Sequence, residues 1–410
     1  MSVKTILNLT PEAKIGDTSS SEFSVEGGAP SFDQIPFRVM AGKNPSLNTF
    51  VVALRQNDAD KAHYGRIIEG NEMNTKARPS DMQQDAAYGM RRPDLRPSEQ
   101  SPHLTRTMQM EVLGELHAQG NSLEIIEPRS LPHTGQDVYE IPASRIPELL
   151  NMPTDKQKGL FLGHIESGKE KVDFLLPNIA IARHMAILGK TGVGKSYAAG
   201  VFMEELHKKK IPILSFDVLG DTEQTTKELH GKHIMAGRKE FKIPFSILGL
   251  SEFLDFIPNT TSDQRDLIGA AYGEIFDNAL RSLDLGKPID IPFQALLDNI
   301  TAIGNAIQSK ATQNAVKRTK TALERSYLLS EKSVNWPELL AEQPITNIYV
   351  GHLDQHQRNL VVGAAARILQ RLRRRGTIPP FVLVIDEAHL FLPGGTSLPP
   401  STVVLRELVR

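Results

Sequence analysis

The stretch Gly189-Lys190-Thr191-Gly192-Val193-Gly194-Lys195-Ser196 constrains this chain more than any other. It fills every fixed position of the pattern GxxxxGK[ST]. Its flanks suit the same reading. Met185–Leu188 is a short apolar run expected to form a buried strand. After Ser196, Ala199, Phe202, Met203 and Leu206 recur on one helical face. A strand, a glycine-rich turn and a helix in that order point backbone N–H groups at one spot beside a positive helix end, which is a receptor for polyphosphate. Gly192 and Gly194 let the backbone pass close to phosphate oxygens with no Cβ in the way. Lys195 then brings positive charge to the β and γ oxygens, and the Ser196 hydroxyl is a ligand for Mg²⁺. The expected ligands are ATP and Mg²⁺.

A second half of such a site lies far along the chain. Phe381–Ile385 is an apolar run followed at once by Asp386 and Glu387. This reads as a Walker B strand, with Asp386 at its carboxyl end to hold the Mg²⁺ shell. Glu387, one residue on, is placed to orient and polarise a water for attack on the γ-phosphate. Catalysis in such sites is mostly positioning and electrostatics, so a carboxylate near that water is the expected base. Asp386–His389 also spells DEAH. The helicases named for that motif keep it close to the P-loop and follow it with a serine–alanine–threonine motif. Here a long helical segment intervenes and Leu390-Phe391-Leu392-Pro393 follows. No NKxD-type motif for reading guanine is present.

The rest of the chain arranges itself around these two motifs. A length of 410 residues allows two or three domains with sizeable cores. The formal net charge of −1 gives no global basic field, so any DNA contact must come from local patches or from several copies. There is no cysteine, which excludes disulfides and thiolate metal sites. No apolar run approaches the roughly 20 residues that span a bilayer, and the N-terminus lacks a secretory h-region. A cytoplasmic protein with no membrane partner is expected.

In chain order, residues 1–34 read as a loose polar leader, on Ser19–Ser21 and Gly27-Gly28. Residues 35–142 have the texture of short strands separated by turn residues, which predicts a small β-barrel. Within it, Gly70 to His103 reads as a long inserted surface loop. Residues 143–183 form a connector in which Ser144–Leu150 is helical and Gly159–Ile165 with Val172–Leu176 make a hairpin. The core, 184–410, is expected to be a parallel sheet with right-handed crossovers, interrupted by a helical insertion over about 251–340. Lys310, Lys317, Arg318, Lys320 and Arg325 on that insertion read as a solvated helix face. The four arginines of Arg371–Arg375 end a helix, where cations favour the dipole.

With those residues in view, the chain resembles the HerA family of hexameric DNA-translocating ATPases. The resemblance rests on Arg183–Gly189 leading into the P-loop, Phe216–Asp221 after the next strand and Val384–His389 at Walker B. In the N-terminal region it rests on Tyr64–Ile68 and Val112–Leu116. It covers roughly residues 35–410. It implies a RecA-like P-loop NTPase core behind a small β-barrel. It also implies a homo-oligomeric ring of six with ATP sites between subunits, double-stranded DNA in the pore, and a nuclease or other effector as partner. By the same resemblance Arg183 lies close to the nucleotide as a catalytic charge. Asp217 and Asp221 are expected to contact metal or water from the second strand, or to cap a helix, the cap being the expected role of Asp221. Family members continue past the point where this chain ends, into a strand with a γ-phosphate sensor and then an arginine finger, so a fragment is expected. Two rivals differ in the track or in the need for turnover. One is an FtsK- or conjugation-type ring ATPase, and the other is a nucleotide-binding scaffold with incidental hydrolysis.

Overall fold

A computed structural model of the chain describes residues 1–19, 30–74, 104–168, 170–190, 192–342, 344–392 and 400–409. Two compact units divide it, Met1–Asn178 and Ile179–Arg410.

The first unit is built on β1 (Lys14–Thr18), β2 (Gln34–Val39), β3 (Phe50–Leu54), β4 (Lys61–Asn74), β5 (Leu104–Gln119), β6 (Ser122–Ile126) and β7 (Asp137–Glu140). The sheet runs β2-β1-β7-β3-β4-β5-β6, and a further β2–β5 pairing closes six of these strands into a ring. Every pairing is antiparallel. Closure leaves no free edge among the six, the advantage a barrel has over an open sheet. Side chains alternate across a strand, so β3 feeds two cores. Val51 and Ala53 join Ile15, Ile35, Phe37, Ile67, Met110 and Val138, a cluster drawn from all six ring strands, which is the barrel interior. Phe50 and Val52 face outward and are covered by Val3, Leu7, Leu9, Ile146 and Leu149.

That outer layer corrects the reading of residues 1–34 as a leader. Val3–Ile6 is a helical turn capped by Ser2, Val3 and Leu7 are fully buried, and β1 is a ring strand. The reason is burial: Val3, Leu7 and Leu9 lie close enough in sequence to shield the apolar outer face of β3, β4 and β7. Of that region, residues 20–29 lie outside the described residues. The expected inserted loop begins later than Gly70, because β4 runs on to Asn74 opposite Leu104; residues 75–103 lie outside the described residues. The connector contains the hairpin, β8 (Gly159–Ser167) against β9 (Glu170–Pro177). It packs with the barrel, where the buried Ser167 hydroxyl accepts the Phe50 N–H.

The second unit contains a four-stranded parallel sheet in the order β11-β14-β10-β15, made of β10 (Ile213–Asp217), β11 (Lys232–Met235), β14 (Ile345–Tyr349) and β15 (Val382–Ile385). A two-residue parallel pair, β12 (Ile243–Pro244) with β13 (Leu329–Ser330), lies beside the insertion. β10 is buried along its whole length, as a central parallel strand must be, while β15 is half-buried. The helix Gln355–Arg374 connects β14 to β15, capped by Asp354, and buries Leu360, Ala364, Ile368 and Leu372 as its spacing predicts. Between β11 and β14 the helices Leu250–Leu254, Ser262–Asp284, Phe293–Ala306, Thr312–Arg325 and Trp336–Glu342 form the helical insertion.

One expectation fails here. Met185–Leu188 is not a buried strand: it forms no ladder among the described residues, and Leu188 is 88% exposed. An apolar run becomes a strand only when neighbours satisfy its N–H and C=O groups, and no described strand pairs with this one. Among the described residues no helix is long and apolar enough to cross a membrane.

Candidate nucleotide site

The carboxyl ends of β10 and β15 lie side by side, with Phe216 paired to Ile385 and the Asp386 N–H bonded to the Phe216 carbonyl. In a parallel α/β sheet this is the end where ligands bind. The helix Lys195–Lys208 precedes β10 and turns Phe202, Met203 and Leu206 into the protein. Its start has the features expected of a phosphate receptor. Gly192 and Gly194 have φ of 81° and 93°, in the left-handed region that favours glycine, and a Cβ at either would meet nothing within 4 Å. Gly189 is closely covered, since a Cβ there would lie 2.6 Å from the Val193 side chain. The Lys195 ammonium folds back on the Lys190 carbonyl at 3.3 Å. The first helical bond runs from the Ala198 N–H to the Gly194 carbonyl, so the N–H groups before it have no partner within the helix. An open glycine cradle, N–H groups without a partner within the helix, and a lysine with one long contact among the described residues fit a polyphosphate. Thr191 lies outside the described residues.

The loop after β10 ties this helix to Asp386. Ser196 Oγ donates to Asp221 Oδ2 at 2.5 Å. Three residues back, the N–H groups of Val218 and Leu219 donate to Asp386 Oδ2 at 3.3 and 3.2 Å. One short loop therefore touches both the hydroxyl and the carboxylate expected to share Mg²⁺. The donor set suits a hard cation, which prefers oxygen ligands. Burial raises the Asp386 pKa above its ordinary value; the Leu219 and Val218 N–H groups oppose this, and the charges of Asp217 and Glu387 add to it. A carboxylate held among other carboxylates at such a cost is the kind of group a cation relieves.

Asp217 has a different part. It is fully buried, Oδ1 accepts the Gly220 N–H, and Oδ2 accepts Thr222 N–H, Thr222 Oγ1 and Asn347 Nδ2. Both oxygens take part in folding the loop. Asp221 is not the expected cap either, since Thr222 precedes the helix Glu223–Glu228 and no side chain caps it. Asn347, which steadies Asp217, escaped the sequence reading. Its signal was a polar residue inside the buried strand Ile345–Tyr349.

Glu387 follows Asp386 with φ 48° and ψ 46°, a left-handed conformation costing a non-glycine residue roughly 1–2 kcal/mol. The turn is held by Leu390 N–H on the Glu387 carbonyl, by Gln355 Nε2 on the Leu390 carbonyl, and by buried Phe391, whose carbonyl accepts Thr402 Oγ1. Arg183 lies in the exposed segment ahead of the loop, and among the described residues its side chain makes no hydrogen bond or ion pair. Two of the four arginines after Ile368 are structural cations, with Arg371 donating twice to Asp284 at 2.6 and 2.8 Å and Arg375 joining it.

Residues 160–369, half of the chain, match the family model described as the central domain of helicase HerA. The probable helicase MJ1565 of Methanocaldococcus jannaschii is 25% identical over 306 residues, which are 69% of this chain and 56% of that protein. The chain thus spans little more than half the length of this curated relative. Among solved structures, VirB4 of Thermoanaerobacter pseudethanolicus aligns with a TM-score of 0.43 and 17% identity, covering 61% of this chain and 72% of that one.

Proposed function

Since this chain belongs to the family of the HerA helicase central domain, we propose that it is an ATPase motor that works as a ring on double-stranded DNA, alongside a nuclease or other effector. The observation that carries the reading is the convergence of Ser196 and Asp386 on one loop, Val218–Asp221.

In this reading the backbone of Gly189, Lys190, Thr191, Gly192, Val193 and Gly194 wraps the triphosphate, and Lys195 leaves the Lys190 carbonyl for its oxygens. Ser196 and Asp386 hold Mg²⁺, which when bound offsets charge on the phosphate oxygens. Glu387 orients a water and takes its proton as the water oxygen attacks the γ-phosphorus and the bond to the β-phosphate oxygen breaks. Arg183, close ahead of the loop, adds positive charge near the phosphates.

Phosphate release by the full chain, with and without double-stranded DNA, tests the motor against a nucleotide-binding scaffold. A DNA motor speeds up several-fold on the duplex, whereas a rate indifferent to DNA contradicts the proposal. Glu387→Gln should keep nucleotide binding and lose about 10²–10⁴-fold in turnover, the range typical of a lost general base. Turnover equal to the parent removes Glu387 from the role.

A further inference from the structure

The carboxylate of Glu387 has one side-chain contact among the described residues: His389 Nδ1 stands 3.1 Å from its Oε2. We propose that His389 is a positioning residue that fixes the direction of the Glu387 carboxylate, leaving Oε1 for the attacking water. The inference rests on the reading of Glu387 as the group that takes the water's proton.

Two features separate this contact from ordinary packing. The His389 side chain is 72% exposed, so it fills no core and its loss opens no cavity. The turn beneath it is held by other groups, namely Leu390 N–H, Gln355 Nε2, Phe391 and Thr402 Oγ1. Nothing in the backbone at 389 needs an imidazole. Glu387, by contrast, is 27% exposed and three torsions long, so a carboxylate facing partial solvent would sample several directions without a partner. A left-handed backbone sets where the side chain starts, and a second point is needed to set where it ends. The His389 ring, with its Nδ1 3.1 Å from Oε2, supplies that point.

The test is steady-state phosphate release from Mg·ATP by the full chain and its His389→Ala, His389→Asn and Glu387→Gln variants, with nucleotide affinity measured alongside. Loss of the contact should lower kcat about tenfold or more while KM and nucleotide affinity stay within about twofold, as misorientation of a reacting group does. Asparagine, whose side-chain amide can donate from a similar place, should recover most of the rate. An unimpaired His389→Ala, or an asparagine variant no better than alanine, overturns the inference. If Glu387→Gln is inactive and His389→Ala is not impaired, His389 alone loses its part. If Glu387→Gln turns over like the parent, the reading of Glu387 falls and this inference falls with it.

Discussion

Glu115→Gln should destabilise the barrel by an amount that depends on pH. The Glu115 side chain is 3% exposed and is surrounded by donors. Oε1 lies 2.9 Å from His117 Nε2 and 3.7 Å from Arg55 Nη2, and Oε2 accepts Ser130 Oγ at 2.8 Å and the Arg129 N–H at 3.1 Å. Burial by itself pushes this carboxyl up. The His117, Ser130 and Arg129 hydrogen bonds and the Arg55 charge outweigh burial and hold it at about 2, from an ordinary 4.5. At about 1.4 kcal/mol per pH unit, that gap corresponds to about 3 kcal/mol. Because the folded pKa is depressed, the stabilisation is complete above pH 4.5 and is lost as pH falls towards 2; by linkage about 1.5 kcal/mol remains at pH 3. Glutamine has the shape of the protonated acid and should show the loss directly. The single tryptophan, Trp336, is buried in the other unit and does not report on the barrel. Hydrogen exchange of the β4 and β5 amides in the full chain does. The opening free energy should fall by about 3 kcal/mol at pH 7, with the gap between variant and parent roughly halved at pH 3. An equal gap at both pH values, or none at pH 7, refutes the reasoning.

Two further substitutions separate structural acids from functional ones. Asp217→Ala leaves the buried donors of Gly220, Thr222 and Asn347 without an acceptor, and should cost about 3 kcal/mol or more in urea unfolding followed by Trp336 fluorescence. Asp386→Asn removes a charge that burial, Asp217 and Glu387 disfavour, so its raised folded pKa costs stability above the ordinary carboxylate range. In EDTA the variant should therefore melt at or above the parent's Tm, while hydrolysis of Mg·ATP is lost; a fall in Tm contradicts this account.

Much of the fold was legible because its period is local. The alternating strands of residues 35–142 and the 3.6-residue period over Gln355–Arg374 depend on nearby residues, and both gave the right element. The turn at Gly192 and Gly194 was legible because glycines mark backbone angles, and both adopt positive φ. What failed depends on distant partners. Val3, Leu7 and Leu9 look like part of a polar leader until the outer face of β3 and β4 is there to be covered. Met185–Leu188 looks like a strand, but a strand needs pairing that no apolar run can supply for itself. Asp217 and Asp221 could not be told apart by type or spacing. Only the fold shows that one carries four hydrogen bonds from its own loop and β14, while the other reaches Ser196.

The central claim is that one Mg²⁺–nucleotide is shared between the loop at Ser196 and the acids at Asp386. The most direct measurement is a structure of the Glu387→Gln chain with Mg·ATP. The account predicts a single Mg²⁺ coordinated by Ser196 Oγ at about 2.1 Å, with Asp386 in its shell of ligands and waters and the γ-phosphate facing residue 387. A nucleotide bound away from Gly189–Ser196, or a metal that meets Ser196 with Asp386 out of reach, would contradict it.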